Sequence, residues 1–370
     1  TIICDYNYLF DPLVYLKRYF DEEKTNYVAL IDETHNLVDR SLDMYSISLS
    51  LHDFLALQKS FKKYKHVGFK RALKRVILYL NDYLEYGDDF ILVSKNFDNE
   101  FYNLLENYFK HSQDILKNFP NYVNEEFSKL FKDVNRFLKI SEFISSQFRL
   151  YFERTSQDDI KVNIKCVDSS ELIKKTIGKL KSAIFFSATL TPIEYYVKCL
   201  GGNDDTPVMK LESPFPKENL LTLIRSNIST RYRDREYSYS EIARTIESVV
   251  DARIGNYLVF FSSYQYLENV YKEMKINDNY NYIKQTREMD DEARNQFLSH
   301  FVNEPNKTTI GFAVLGGAFS EGIDLANDKL IGSIVVGVGI PQISFERSSK
   351  YKEKDCRLEK SAVLLLCSAM

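Results

Sequence analysis

The residues with the clearest chemical potential are Asp32-Glu33-Thr34-His35, placed directly after the apolar run Tyr27-Val28-Ala29-Leu30-Ile31. A short buried strand ending in two adjacent carboxylates presents both at the carboxyl edge of a sheet, where open α/β sheets bind ligands. One carboxylate can hold a hydrated Mg²⁺ while its neighbour orients a water against a phosphate. Three more loops follow strand-like runs in the same way. Ser187-Ala188-Thr189-Leu190-Thr191-Pro192 comes after Ala183 to Phe186, and its hydroxyls suit a tight turn that bonds to neighbouring carboxylates. Ser262-Ser263 comes after Tyr257 to Phe261 and opens a helix whose N-terminus can take a phosphate. Gly316-Gly317-Ala318-Phe319-Ser320-Glu321-Gly322-Ile323-Asp324 is rich enough in glycine to let backbone approach a ligand closely, with Glu321 and Asp324 as acceptors.

The elements that would position these loops are short strands alternating with helices, which argues for parallel sheets. Residues 1–45 read as strand, helix, strand, with Thr1-Ile2-Ile3-Cys4 as a buried strand and a helix over Leu13 to Phe20. Residues 46–155 change texture. Leu73, Ile77, Leu80, Leu84 and Phe127, Phe131, Val134, Leu138 recur near the 3.6-residue period, so this stretch reads as an all-helical insertion. Residues 156–205 return to the first α/β unit. Gly201-Gly202 and Pro207 to Pro216 mark a linker, and residues 206–370 form a second α/β unit.

Each loop also has a plain structural reading. An Asp-Glu pair after a strand is common, Ser187 to Pro192 can be a capped turn, and Ser263 can be an N-cap. A separate feature is the stretch from Lys59 to Arg75, with Lys59, Lys62, Lys63, Lys65, Lys70, Arg71, Lys74 and Arg75 and no acid. Phe61, Tyr64 and Phe69 interleave with these charges, a pattern that suits phosphates tracked by cations and bases stacked on rings. The alternative is a solvated helix face with its aromatics in the core.

At 370 residues the chain can build two or three cores, and 44% apolar with 27% charged residues is ordinary for a globular protein. A net charge of −3 gives no whole-molecule attraction to nucleic acid, so such binding must be local. Five scattered cysteines without a C-x-x-C pair point to reduced thiols, a cytoplasmic setting and no metal cluster built from this chain. No apolar stretch approaches the ~20 residues needed to span a bilayer.

Taken in order and spacing, these pieces resemble superfamily 2 helicases of the XPD/DinG type. The most specific are Ile2 to Pro12, the DETH tetrad as a DEAH variant, Ser187 to Pro192, and Phe319 to Asp324, with Gly337-Val338-Gly339-Ile340-Pro341 resembling the segment that follows. The resemblance implies two RecA-like parallel-sheet motor domains, the first incomplete, with a helical Arch-like insertion. It implies ATP and Mg²⁺ as cofactors, single-stranded DNA as partner, 5′→3′ unwinding in replication or repair, and a monomer with no membrane association. By position, Asp32 would bind Mg²⁺ and Glu33 would place the hydrolytic water, with His35, Ser187 and Thr189 coupling nucleotide state to DNA. Ser262 and Ser263 would lie near the DNA backbone, Glu321, Gly322 and Asp324 would face the cleft between the motors, and Asp32, His35, Gly322 and Asp324 would bind the nucleotide cofactor. The Arch nudges Lys62, Lys63, Lys70, Arg71 and Lys74 toward DNA as well.

Three departures matter. No G-x-x-x-x-G-K-[S/T] occurs; the Gly178-Lys179 pair is followed by Leu180. The family's [4Fe-4S] cysteines would precede Thr1. Its final Gln/Gly-Arg/Arg motif is not matched by Lys354-Asp355-Cys356-Arg357 and the Ala362 to Leu366 run. The chain is therefore expected to be a fragment that is deficient in ATP hydrolysis. The alternatives are a catalytically dead nucleic-acid-binding scaffold and, less well supported by the acidic residues, a nuclease using Asp32 and Glu33 as metal ligands.

Overall fold

The computed structural model describes residues 1–21, 24–85, 91–94, 99–319, 323–337 and 363–368. The chain divides into two compact units, Thr1–Val208 and Met209–Met370.

In the first unit, β1 (Val28–Ile31) carries the DETH tetrad at its carboxyl end. The 154 residues from Val28 to its partner Ser182 include an insertion whose buried residues form one continuous core with Phe10, Ile31, Leu37 and Ile173. Residues 46–155 hold β2 (Ile47–Ser50), β3 (Ile91–Ser94) and nearly all of β4 (Phe148–Ser156), which join β5 (Asp159–Cys166), just beyond the expected boundary, in an antiparallel sheet in the order β2-β5-β4-β3. The expectation of an all-helical insertion is corrected accordingly. The β4–β5 hairpin alternates with period two, burying Phe148, Leu150 and Phe152 beside Ile160, Val162, Ile164 and Cys166. Pairing of Ile47 with Ile164 joins segments too distant in sequence for local patterning to reveal.

The helices follow their periodic stripes. Val67–Asn81 buries Phe69, Ala72, Leu73, Val76, Ile77 and Leu80; Glu125–Ser141 buries Phe127, Leu130, Val134 and Phe137. Asn124 caps the second of these by accepting from the Phe127 N–H at 2.8 Å. Two amino-terminal expectations fail. Thr1 to Cys4 form no strand and are exposed, and the helix expected over Leu13 to Phe20 is confined to Lys17–Phe20, preceded by a separate turn of helix at Asn7–Phe10.

Parallel to β1 runs β6 (Ser182–Phe185), in the register Val28↔Ser182 to Ile31↔Phe185. Neither strand is buried on both faces, contrary to the reading of the two runs as buried. Ala29, Ile31, Ala183 and Phe185 join the unit's core, whereas Val28, Leu30 and Ile184 are 53%, 68% and 52% exposed. Among the described residues this sheet has two strands, and nothing covers its outer face.

The second unit is a six-stranded sheet: β7 (Leu220–Arg225), β8 (Asn256–Phe261), β9 (Asn281–Lys284), β10 (Thr309–Val314), β11 (Gly332–Val336) and β12 (Val363–Ser368), in the order β7-β12-β11-β8-β10-β9. The strands β11, β8, β10 and β9 are parallel; β12 is antiparallel to both of its neighbours. Helices Tyr239–Val250 and Tyr264–Glu273 cover one face through Ile242, Ile246, Leu267 and Val270. Phe297, Phe301 and Phe319 cover the other. Burial on both faces explains the near-continuous apolar runs of β8 and β10.

Gly311 in the middle of β10 reflects this packing. A Cβ there would lie 2.7 Å from Phe301 Cζ, 2.9 Å from Leu258 Cδ2 and 3.0 Å from Phe297 Cζ. Gly311→Ala is expected to destabilise the second unit by about 1–3 kcal/mol through overpacking, measured as a lowered denaturant midpoint; an unchanged midpoint would refute the close fit.

Candidate functional site

The tetrad begins where β1 stops, and its geometry is fixed from two sides. Thr34 is fully buried and donates its hydroxyl to the Ile31 carbonyl at 2.7 Å; its N–H reaches the Phe186 carbonyl at 3.2 Å. Phe186 N–H returns a bond to the Ile31 carbonyl at 3.0 Å, so the two loops are stitched together as they leave their strands. Between them Glu33 adopts φ 46°, ψ 41°, a left-handed conformation that costs a non-glycine residue about 1–2 kcal/mol. The Tyr6 hydroxyl helps hold it, donating to the carbonyls of Asp32 and, at 2.9 Å, Glu33. Burial pushes the Tyr6 phenol up against the opposing pull of Arg40, whose guanidinium sits over the ring, so the phenol stays a donor. Arg40 also pairs with Asp5 at 3.0 Å; the Asp5 carboxyl is held below its ordinary range chiefly by the Asn7 N–H, with Arg40 contributing.

The strained turn brings the side chains together. His35 Nδ1 lies 2.8 Å from Ser187 Oγ and 3.3 Å from Glu33 Oε2. The Ser187 hydroxyl donates to Glu33 Oε2 at 3.3 Å and accepts from the Thr189 N–H at 3.3 Å, with the Thr189 hydroxyl at 3.5 Å. With Nδ1 protonated, His35 donates to both neighbours and every short contact has a proton. Asp32 is exposed; one carboxylate oxygen accepts the Glu33 N–H at 2.7 Å and the other is open to solvent, which suits a hydrated cation. Glu33, His35, Ser187 and Thr189, named from the sequence, thus form one connected group beside Asp32. Tyr6 was missed as a contributor; its only signal was its place in the Ile2 to Pro12 segment.

In the second unit the carboxyl edge is defined by Arg225, Phe261, Val314 and Val336, in register across the sheet. Ser263 caps the following helix, accepting from the Tyr266 N–H at 3.3 Å, as its plain structural reading has it. Ser262 instead accepts from Arg235 Nη2 at 3.1 Å. Arg235, which no sequence motif marked, also donates to the Thr230 carbonyl at 3.1 Å and lies over the Tyr266 ring at 4.5 Å. Gly316 has φ +73° with open space where a Cβ would be, and Gly317 packs against the buried Gln285 side chain. Asp324 is exposed; Ser320, Glu321 and Gly322 lie outside the described residues.

The basic stretch from Lys59 to Arg75 divides sharply. Phe61 and Phe69 are 1% and 0% exposed, and Tyr64 stacks on Tyr122 at 4.4 Å, so these rings are core and not platforms for bases. That corrects the expected interleaving. Lys62, Lys63, Arg71 and Lys74 are exposed, while Lys70 is half-buried and donates to the Lys62 carbonyl at 2.9 Å. No helix among the described residues is long and apolar enough to cross a membrane.

Two family models match: DEAD_2 over residues 1–54 and Helicase C-terminal domain over residues 246–365. The ATP-dependent DNA helicase CHL1 of Debaryomyces hansenii is 23% identical over 371 residues, covering 85% of this chain and 44% of that protein. The Saccharomyces cerevisiae CHL1 helicase is 24% identical over 399 residues, covering 91% and 45%. The chain therefore spans less than half the length of these curated relatives. Among solved structures, apo XPD shares the fold with a TM-score of 0.54 at 17% identity, covering 96% of this chain and 69% of that one. An XPD helicase structure gives 0.52 at 18% identity, covering 96% and 61%. The fold is the XPD fold, with parallel sheets of the RecA-like kind and many helices. The two family matches fall on the segments that carry the Ile2 to Pro12, DETH and Phe319 to Asp324 motifs, so motif, family model and fold all point to similarity with XPD/DinG-type helicases.

Proposed function

We propose that this chain is the DETH-bearing and second-motor portion of an ATP-dependent DNA helicase that moves 5′→3′ on single-stranded DNA, as a monomer, in replication or repair. The observation that carries the reading is the Glu33–His35–Ser187–Thr189 group. An exposed carboxylate that could polarise a water is bonded to a hydroxyl on the neighbouring strand's loop. Asp32 would hold Mg²⁺ through water, and bound Mg²⁺ would neutralise charge on the triphosphate. Glu33 would orient the attacking water, for which its position in the turn leaves the carboxylate open to solvent.

Coupling follows from proton counting. The Ser187 hydroxyl has one proton, which the Glu33 carboxylate accepts when no water competes for it. When Glu33 takes a water proton, Ser187 is released to another acceptor, and the Ser187–Thr189 turn relaxes with it. His35, in contact with both, would transmit the same change. Ser262, Ser263, Gly322 and Asp324 would serve the second motor's edge, the serines toward the DNA backbone and Gly322 and Asp324 toward nucleotide. Lys62, Lys63, Arg71 and Lys74, with Lys70 holding their turn, would line the strand's path.

A longer chain that supplies a phosphate-binding G-x-x-x-x-G-K-[S/T] loop and a matching arginine motif to these 370 residues is expected to displace a strand from a 5′-tailed duplex with ATP and Mg²⁺ and to leave a 3′-tailed duplex intact. Its Ser187→Ala variant is expected to keep DNA-stimulated ATP hydrolysis within a few-fold while losing about tenfold or more in strand displacement, which gel-based unwinding reads directly. Equal loss of both activities would overturn the coupling role. Displacement without nucleotide would overturn the helicase reading.

A further inference from the structure

The segment following β7 exposes two aromatic rings, in contrast to the buried Tyr257, Phe261 and Tyr266 of the neighbouring elements. Tyr232 and Tyr237 are 86% and 87% exposed, at the two ends of a 3-10 turn spanning Tyr232–Tyr237. This turn is firmly built. Arg235 ties it to the Thr230 carbonyl and to Ser262 at the end of β8, Asp234 accepts from the Ser229 hydroxyl at 2.7 Å, and Ser238 donates to the Arg235 carbonyl at 2.9 Å. The Arg235 guanidinium lies between rings, 4.5 Å from Tyr266 and 5.6 Å from Tyr232. Arg231 and Arg233 stand exposed on the same turn, Arg233 beside Asp234 at 3.6 Å. Two rigid solvent-facing rings with arginines between them have no role in the unit's core.

We propose that Tyr232 and Tyr237 form a base-stacking platform for single-stranded DNA, with Arg231 and Arg233 meeting the phosphates of the same strand. The inference rests on the DNA-binding part of the proposed function and adds a ligand surface beyond the strand-end serines. Stacking needs bases with free faces, which a single strand offers and a duplex withholds. The link from Arg235 to Ser262 sets the platform beside the β8 edge, so a strand stacked on the rings passes the opening of the helix Tyr264–Glu273.

Fluorescence anisotropy of the full 370-residue chain with a labelled oligothymidine, titrated with salt, tests this. Y232A/Y237A is expected to weaken binding by about tenfold for each ring with an unchanged salt slope, while Y232F/Y237F binds as the parent does. Arg231→Ala is expected to lower the slope by about 0.7, the signature of one single-strand phosphate contact. Because both rings are solvent-facing, the alanine pair is expected to melt as the parent does, which separates lost stacking from lost folding. Parent-like binding by Y232A/Y237A would overturn the platform alone, as would an equal loss of affinity for duplex and single strand. Failure of the unsubstituted chain to bind the oligomer at low salt would overturn the DNA-binding reading and the platform together.

Discussion

Purified as these 370 residues, the chain is expected to release phosphate from ATP at the uncatalysed background, with or without DNA. Asp32 and Glu33 stand at the carboxyl edge of β1, held there by Thr34, Tyr6 and the Phe186 carbonyl. The 370-residue sequence contains no G-x-x-x-x-G-K-[S/T] motif to wrap a triphosphate. Its Gly178-Lys179 pair closes the helix Ser170–Ile177, with Gly178 N–H on the Lys174 carbonyl, and the Lys179 ammonium reaches the Phe20 carbonyl at 3.3 Å. That lysine is a structural clip. Without a phosphate-wrapping loop a water aligned by Glu33 has no fixed target, and an arginine finger, whose motif the sequence does not match after Tyr351, is alone worth about 10³- to 10⁵-fold in rate. A malachite-green assay checks the expectation; turnover that rises with added single strand would overturn it.

The second large effect concerns DNA affinity in the first unit. With Phe61, Phe69 and Tyr64 committed to the core, the surface between Lys59 and Arg75 offers charge without stacking. Its grip should therefore be almost wholly electrostatic and steep in salt. Replacing Lys62, Lys63, Arg71 and Lys74 together by alanine is expected to reduce the log–log salt slope by about 3 and to cost about 10²- to 10³-fold in affinity at 0.1 M salt. Lys70 is left untouched because its bond to the Lys62 carbonyl holds the turn. Nitrocellulose filter binding across a salt series reads both quantities, and a slope unchanged within 0.5 or so would exclude this face from the strand's path. The stripe and the tyrosine platform thus leave opposite signatures, one in the slope and one in the intercept.

The parts of this molecule that were legible in the sequence are those whose chemistry constrains residue type locally. Asp32, Glu33, Ser187 and Thr189 directly follow strand-like runs, a placement visible in the sequence, and the pairing of β1 with β6 brings Glu33, Ser187 and Thr189 together. The helices Val67–Asn81 and Glu125–Ser141 announced themselves by period. What was hidden depended on distant partners. The sheet β2-β5-β4-β3 joins Ile47 to Ile164, and no local pattern marks that pairing. Val28 and Leu30 look buried because apolarity signals a face that wants cover, not whether cover is supplied. The run Thr1 to Cys4 is too short to separate strand from coil. Arg235 escaped notice because its importance lies in contacts with Thr230, Ser262 and Tyr266, which only the fold assembles.

The separation of β1 from β6 has a consequence for biosynthesis. At about 5–20 residues per second on the ribosome, the DETH strand waits on the order of 10–30 s before its partner, 154 residues later, is made. During that interval the intervening helices and antiparallel sheet can begin to pack, while Val28, Leu30 and the unpaired backbone of β1 stay open to solvent. The nascent chain therefore presents a sticky edge for many seconds, a natural client for a chaperone that binds short extended apolar segments.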